Sequence, residues 1–249
     1  MKHYYKYTIP YQDVDSHRRL RLFTLENYLL VVAGRAADDS GFGIEYLYPQ
    51  GLTWIITRLQ ARLTYIPTHG DTLLFETWVE HNAHMLSTRA FRIYLMPGRT
   101  LIGEAQSIWA ILDLQKREIV NIFDQKPFQN CVEDDNVIMP HHERCMPAKA
   151  ATLIQTHIIQ YSDVDYNNHC NSCKYLEIML NAHYPKFLSL FSTQTEHYQL
   201  FLSINYAKEI ALHQTLSTFI WVEDDKVQYQ QKDNDGNTNC YAKIAILKK

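Results

Sequence analysis

Three residues stand out for the chemistry their types allow: Asp165, Asn167 and His169, in the run YSDVDYNNHCN from Tyr161 to Asn171. They place a carboxylate, a carboxamide and an imidazole at i, i+2 and i+4, a spacing that turns all three toward one side of an extended or looping segment. A predicted helix begins just after them, and its first N–H groups and positive dipole end favour a developing oxyanion. Such a cluster suits the addition of water to a polarised carbonyl. The same residues also read as a plain turn, since Asn167 and Asn168 are turn formers and His169 can enter a helix with its hydrogen bond satisfied. A second carboxylate, Glu209, sits in NYAKEI (205–210) between two predicted strands; taken alone it is a solvated turn residue. Cys170 and Cys173 flank the cluster, but no second cysteine pair exists and asparagines are poor zinc ligands, so no metal is expected. His81, His84 and the pair His141-His142 likewise lack partners and read as surface loop residues.

The elements that must position this cluster come from an internal repeat. The segment from Ile9 to Asp15 (IPYQDVD) returns from Ile159 to Asp165 (IQYSDVD), and a helix-like stretch follows each copy. The sequence TWVE at 77–80 is echoed by IWVE at 220–223, with Tyr65 upstream of one and Tyr206 upstream of the other. In the first copy a strand (Tyr4 to Pro10) leads to a turn and then to a helix over Leu22 to Asp39. Its face is Leu25, Leu29, Val32 and Ala33, and Thr24 is its expected N-cap. Four strands follow, at Leu52 to Tyr65, Thr72 to Glu80, Met85 to Leu95 and Thr100 to Leu114. The second copy predicts a strand at Leu153 to Tyr161 and a helix at about Asn171 to Leu190. Its further strands lie at Gln199 to Tyr206, Leu212 to Asp224, Lys226 to Lys232 and Tyr241 to Leu247, with a hairpin signal at Asn234-Asp235-Gly236. Residues 125–150, with three prolines and no period, read as a linker between halves 1–124 and 151–249. A helix wrapped by a long antiparallel sheet resembles the hotdog layout. Two copies predict an α+β tandem (double) hotdog, with two long helices back to back against one continuous antiparallel sheet.

Composition narrows the field further. The 249 residues are 46% hydrophobic and 20% charged, an ordinary globular balance, and the net charge of −3 gives no general pull toward nucleic acid or anionic lipid. No apolar run approaches the roughly 20 residues that a membrane span needs. Five cysteines make no disulfide framework; with no visible targeting segment, the cytoplasm is the expected location. Eight glycines leave little material for a phosphate cradle, and no Walker, nucleophile-elbow or zincin motif occurs.

The pattern Y-x-D-V-D-x-N-x-H-x-N-x-x-K-Y from Tyr161 to Tyr175 resembles the active-site segment of the acyl-[acyl carrier protein] thioesterases. WIITR (54–58), PTHGD (67–71) and TWV (77–79) are similar to segments of that family's N-terminal half, so the resemblance runs over nearly the whole chain. It implies a double hotdog whose C-terminal half is catalytic and whose N-terminal half shapes the acyl pocket, with acyl carrier protein as partner, no cofactor, and a homodimer compatible with the fold. Carried over by position, it implies catalytic roles for Asp165, Asn167, His169 and Glu209. Ile210 departs from the pattern, standing where many plant members have a cysteine. A water-based hydrolysis follows: Glu209, assisted by His169, deprotonates water, Asn167 and the helix amides hold the thioester oxygen, and Asp165 positions its neighbours. Burial or the nearby Asp165 is expected to raise the pKa of Glu209. Leu25, Leu29, Val32, Trp54 and Ile56 are the expected acyl-chain lining, and Arg18, Arg19 and Arg21 the expected docking cluster for an acidic carrier. Three alternatives share this layout: an acyl-CoA thioesterase, a hotdog dehydratase, and a non-catalytic acyl-binding protein.

Overall fold

The computed structural model describes residues 1–137, 139, 151–185, 188 and 198–248. Two compact units divide the chain: Met1–Arg21, Leu25–Ala61 and Pro67–Met139 make the first, while Leu22–Thr24, Arg62–Ile66 and the chain from residue 140 onward make the second. Strands β1 (His3–Thr8), β2 (Leu52–Leu63), β3 (Thr72–Asn82), β4 (Ser87–Met96), β5 (Thr100–Asp113) and the short β6 (Ile119–Val120) lie in the first half, with helices α1 (Leu22–Asp39) and α2 (Ile44–Leu47). Their order is β1-β3-β4-β5-β2, with β6 on β5. The second half has β7 (Thr152–Ile158), α3 (Ser172–Ala182), β8 (Tyr198–Tyr206), β9 (Thr215–Glu223), β10 (Lys226–Lys232) and β11 (Thr238–Lys248) in the order β8-β11-β10-β9-β7. Each half is a hotdog, and the chain is a tandem of two.

Helix α1 spans the residues its period predicts. Leu25, Leu29 and Val32 are at most 1% exposed, and each such burial contributes about 1.5–3 kcal/mol. Tyr28 of α1 stacks on Tyr7 of β1 and meets Phe75 of β3 edge-on. Thr24 is not the cap: Arg21 occupies the N-cap position, and Thr24 lies buried inside the first turn. Among the described residues there are three α-helices rather than two long ones, of 18, 4 and 11 residues. Helix α3 stops at Ala182, with His183 already extended. Pro185 gives the reason, since a proline disfavours helical backbone just before it and offers no N–H. The rest of the predicted helix, to Leu190, falls largely outside the described residues, as does the pair His141-His142.

Part of the expected linker is held against the first unit. Lys126–Asn130 is a 3₁₀ turn, and Val132 bridges Val79. The Trp78 indole N–H donates to the Asp135 carbonyl at 2.6 Å, and Arg92 grips the Asp135 carboxylate with two bonds of 2.7 Å. Trp78 itself lies under the Lys2 and Arg92 cations.

Candidate active site

The loop between β7 and α3 is tied to itself at every turn. The Asp165 amide donates to the His169 carbonyl at 2.9 Å, the Asn168 amide to the Asp165 carbonyl at 3.0 Å, and Val164 bridges Cys170. Asn168 adopts φ 61°, the left-handed region that asparagine tolerates better than most residues. The Asp165 carboxylate accepts the Asn167 amide at 2.8 Å, so Asp165 shapes the backbone that carries the next two polar side chains. One layer down, the Asp163 carboxylate is buried and takes His157 Nε2 at 2.7 Å and the Gln160 amide at 2.9 Å. Burial alone would raise its pKa, but these bonds hold it below the ordinary aspartate value. The repeated Tyr-x-Asp-Val-Asp motif contained this signal, although Asp163 and His157 were not among the expected site residues.

The decisive contact joins two loops far apart in sequence. His169 Nε2 lies 3.3 Å from Glu209 Oε1, with the imidazole side chain 28% and the carboxylate side chain 44% exposed. The Cys170 amide donates to the Ile210 carbonyl at 2.8 Å, and His169 bridges Ala211, which locks the two loops side by side. The imidazole and both carboxylates therefore belong to two tied loops, and the Asn167 carboxamide makes no hydrogen bond among the described residues. Glu209 is exposed, so the expected burial is absent. The helix end also differs from expectation. Asn171 caps α3, its side chain taking the Cys173 amide at 3.1 Å and its carbonyl the Lys174 amide at 2.9 Å. Those two N–H groups are committed to the helix rather than to a ligand. Cys170 and Cys173 are buried, and burial, with the carboxylates of Asp163 and Asp165, pushes the Cys170 thiol up to about 12. No cluster of three metal-ligating side chains occurs among the described residues.

The first half repeats this backbone with other side chains. The Asp15 amide donates to the Arg19 carbonyl at 2.8 Å, Arg18 takes φ 64°, and the Leu20 amide donates to the Pro67 carbonyl as Cys170 does to Ile210. Arg19 stands where His169 does, and the same register puts Ile66 in the place of Glu209. Arg19 grips Asp15 through Nε at 3.1 Å and Nη2 at 2.9 Å, with its side chain only 5% exposed. It cannot belong to a surface docking cluster, because its guanidinium is buried against its own loop. Arg18 is exposed beside His69, and Arg21 donates to the Gln12 carbonyl. Of the expected acyl-chain lining, Leu25, Leu29 and Val32 are buried. Trp54 is half-buried, donates to the Phe42 carbonyl and meets Trp109 and Phe128 edge-on, and Ile56 is also half-buried.

Residues 1–126 match the acyl-ACP thioesterase N-terminal domain, and residues 147–247 match the C-terminal domain of the same enzymes. The chain belongs to the acyl-ACP thioesterase family. A crystal structure of an acyl-ACP thioesterase from Bacteroides thetaiotaomicron is 26% identical, with a TM-score of 0.85 over 99% of this chain and 98% of that one. A putative oleoyl thioesterase from Lactobacillus plantarum shares the fold, at 18% identity and a TM-score of 0.81 over 100% of this chain and 96% of that one. A chloroplastic acyl-[acyl-carrier-protein] hydrolase of Cuphea viscosissima is 23% identical over 73% of this chain and 47% of its own length. The chain spans about half the length of the curated relatives it matches first. Within the acyl-ACP thioesterase family, then, this member presents an imidazole and a carboxylate in contact in its second hotdog and an arginine-closed loop in its first. None of the described helices is long and apolar enough to cross a membrane.

Proposed function

We propose that the protein hydrolyses the thioester of acyl-[acyl carrier protein], releasing a free fatty acid and ending fatty-acid synthesis on that carrier. The observation that carries this reading is the contact of His169 with Glu209 at 3.3 Å. Glu209, assisted by His169, takes a proton from water as its oxygen bonds to the thioester carbon. The Asn167 carboxamide donates to the carbonyl oxygen as negative charge develops there, with Asp165 holding the loop that aims it. Glu209 passes that proton to His169 across their 3.3 Å contact; the C–S bond then breaks, and the protonated His169 gives the proton to the departing thiolate. General-base assistance typically contributes about 10²–10⁴-fold, so these groups act together rather than singly.

In this reading the half 151–249 carries catalysis, 125–150 connects, and 1–124 shapes the acyl pocket with Leu25, Leu29, Val32, Trp54 and Ile56. Arg18 and Arg21 remain the docking cations for the acidic carrier. No cofactor is required, and we place the protein in the cytoplasm. The test is steady-state hydrolysis by the purified chain of one acyl group carried on acyl carrier protein and on CoA. Release of fatty acid with the carrier thioester favoured supports the proposal. Equal or better turnover of the CoA thioester moves the substrate to acyl-CoA, and no free thiol from either leaves an acyl-binding protein.

A further inference from the structure

The segment that carries Glu209 is held by a residue no motif pointed to. Ala207, Lys208 and Glu209 are all exposed, and they connect β8 to the loop tied to the Asp165 turn. Beneath them lies Asn239 of β11, 1% exposed. Its side-chain Nδ2 donates to the Lys208 carbonyl at 3.3 Å and to the Glu209 carbonyl at 3.2 Å. Its own carbonyl accepts the Ala207 amide at 2.8 Å and the Lys208 amide at 3.2 Å. Four hydrogen bonds from one residue therefore pin the backbone up to the Glu209 carbonyl, and the Tyr175 hydroxyl adds a longer one to Lys208 at 3.5 Å. On the other side, the Ile210 carbonyl and Ala211 are held by Cys170 and His169.

Glu209 is the residue between these two clamps. The Asn239 amide orientation follows from its neighbours, since only the NH₂ end can face two carbonyl oxygens. Its Oδ1 is left buried with no hydrogen-bond partner among the described residues. An apolar residue in the same place would leave no such orphan. The fold keeps an amide here, and what that amide holds is the Lys208–Glu209 backbone.

We infer that Asn239 is a positioning residue, fixing the backbone that aims Glu209 at His169. The inference rests on the reading of Glu209 as the base and adds the device that sets its geometry. A displacement of about 1 Å in a reacting group can lower a rate about 10²-fold, and Asn239 lies buried beneath the loop rather than in it.

The experiment is a double-mutant cycle on the full chain, with Asn239→Ala, Glu209→Gln and both together, assayed with an acyl-carrier thioester. Asn239→Ala is expected to lower kcat about 10–100-fold with KM within about two-fold, and to cause no further loss in the Glu209→Gln background. A residue that merely supported the fold would give losses that multiply. Full activity in Asn239→Ala, or multiplying losses, overturns the inference while the role of Glu209 stands. Full activity in Glu209→Gln overturns both, and that single variant shows the failure to lie in the reading of the base. Should Asn239→Ala not fold, Asn239→Leu of similar size replaces it under the same criteria; if neither folds, Asn239 serves the fold and the inference fails.

Discussion

The turn at Asp15 and the turn at Asp165 share a backbone to within a few tenths of an ångström in their hydrogen bonds, yet they hold opposite chemistry. In each, the aspartate amide donates to the carbonyl four residues on, at 2.8 Å and 2.9 Å, and the third residue after the aspartate is left-handed. In the first copy the carboxylate is closed by Arg19 and a buried Ile66 stands in the register of Glu209. In the second, His169 replaces the arginine and meets Glu209. One scaffold thus serves as a staple in one half and as a candidate site in the other. The backbone of the turn does not separate the two; three side-chain positions do, with His17, Arg19 and Ile66 in the first copy standing where Asn167, His169 and Glu209 stand in the second.

That comparison breaks most sharply at His169. His169→Ala is expected to lower kcat/KM about 10³-fold with an unchanged far-ultraviolet circular dichroism spectrum, while Arg19→Met in the first copy leaves kcat/KM within about two-fold. Equal losses from the two variants would mean that both turns take part in hydrolysis. Next in size, Glu209→Gln should cost about 10²-fold in kcat, measured on the same substrate, because it keeps the shape and removes the base.

The staple itself is tested by stability. Arg19→Met leaves the Asp15 carboxylate without its cation and should lower unfolding free energy by about 2 kcal/mol, between the values for exposed and buried pairs. Burial would raise the Asp15 pKa, but the Arg19 and His17 amides and the Arg19 guanidinium hold it below the ordinary value. A lowered folded-state pKa adds stability above the unfolded value of about 3.9 and loses it as pH falls through the folded one. The Tm gap between wild type and Arg19→Met should therefore be full near pH 6–7, begin to narrow only below about pH 4 and close as pH falls through the lower folded-state pKa; a gap that does not narrow with acid would show that packing, not charge, is what the arginine provides. The smallest effect belongs to docking: Arg18→Glu and Arg21→Glu together should raise KM for the carrier substrate about 3–10-fold, and less so as salt rises.

Much of this was legible in the chain. Helix α1 follows from a 3.6-residue apolar period with nothing to interrupt it, and the repeat of Tyr-x-Asp-Val-Asp announced two copies of one unit. Helix α3 is shorter than its apolar period predicts, because the period continues through Pro185 even though the helix ends before it. The arginine cluster predicts a surface position for Arg19, and only the folded turn shows that its partner is Asp15, four residues back. The contact of His169 with Glu209 spans 40 residues, and the clamp by Asn239 depends on the register of β11 beside β8, which pairs Cys240 with Tyr206. Spacing along a chain carries no such information, since one residue of slip would turn Asn239 to the other face.

The burial of Cys170 bears on what the site would not do. A thiolate is a stronger nucleophile toward a thioester than water, and a cysteine beside the imidazole would be an acceptor for the acyl group. Held protonated, with its sulfur 3.7 Å from the Asn171 carbonyl, Cys170 cannot compete. Cys170 would thereby stay out of acyl exchange, leaving the thiol generated at each turnover as the carrier's.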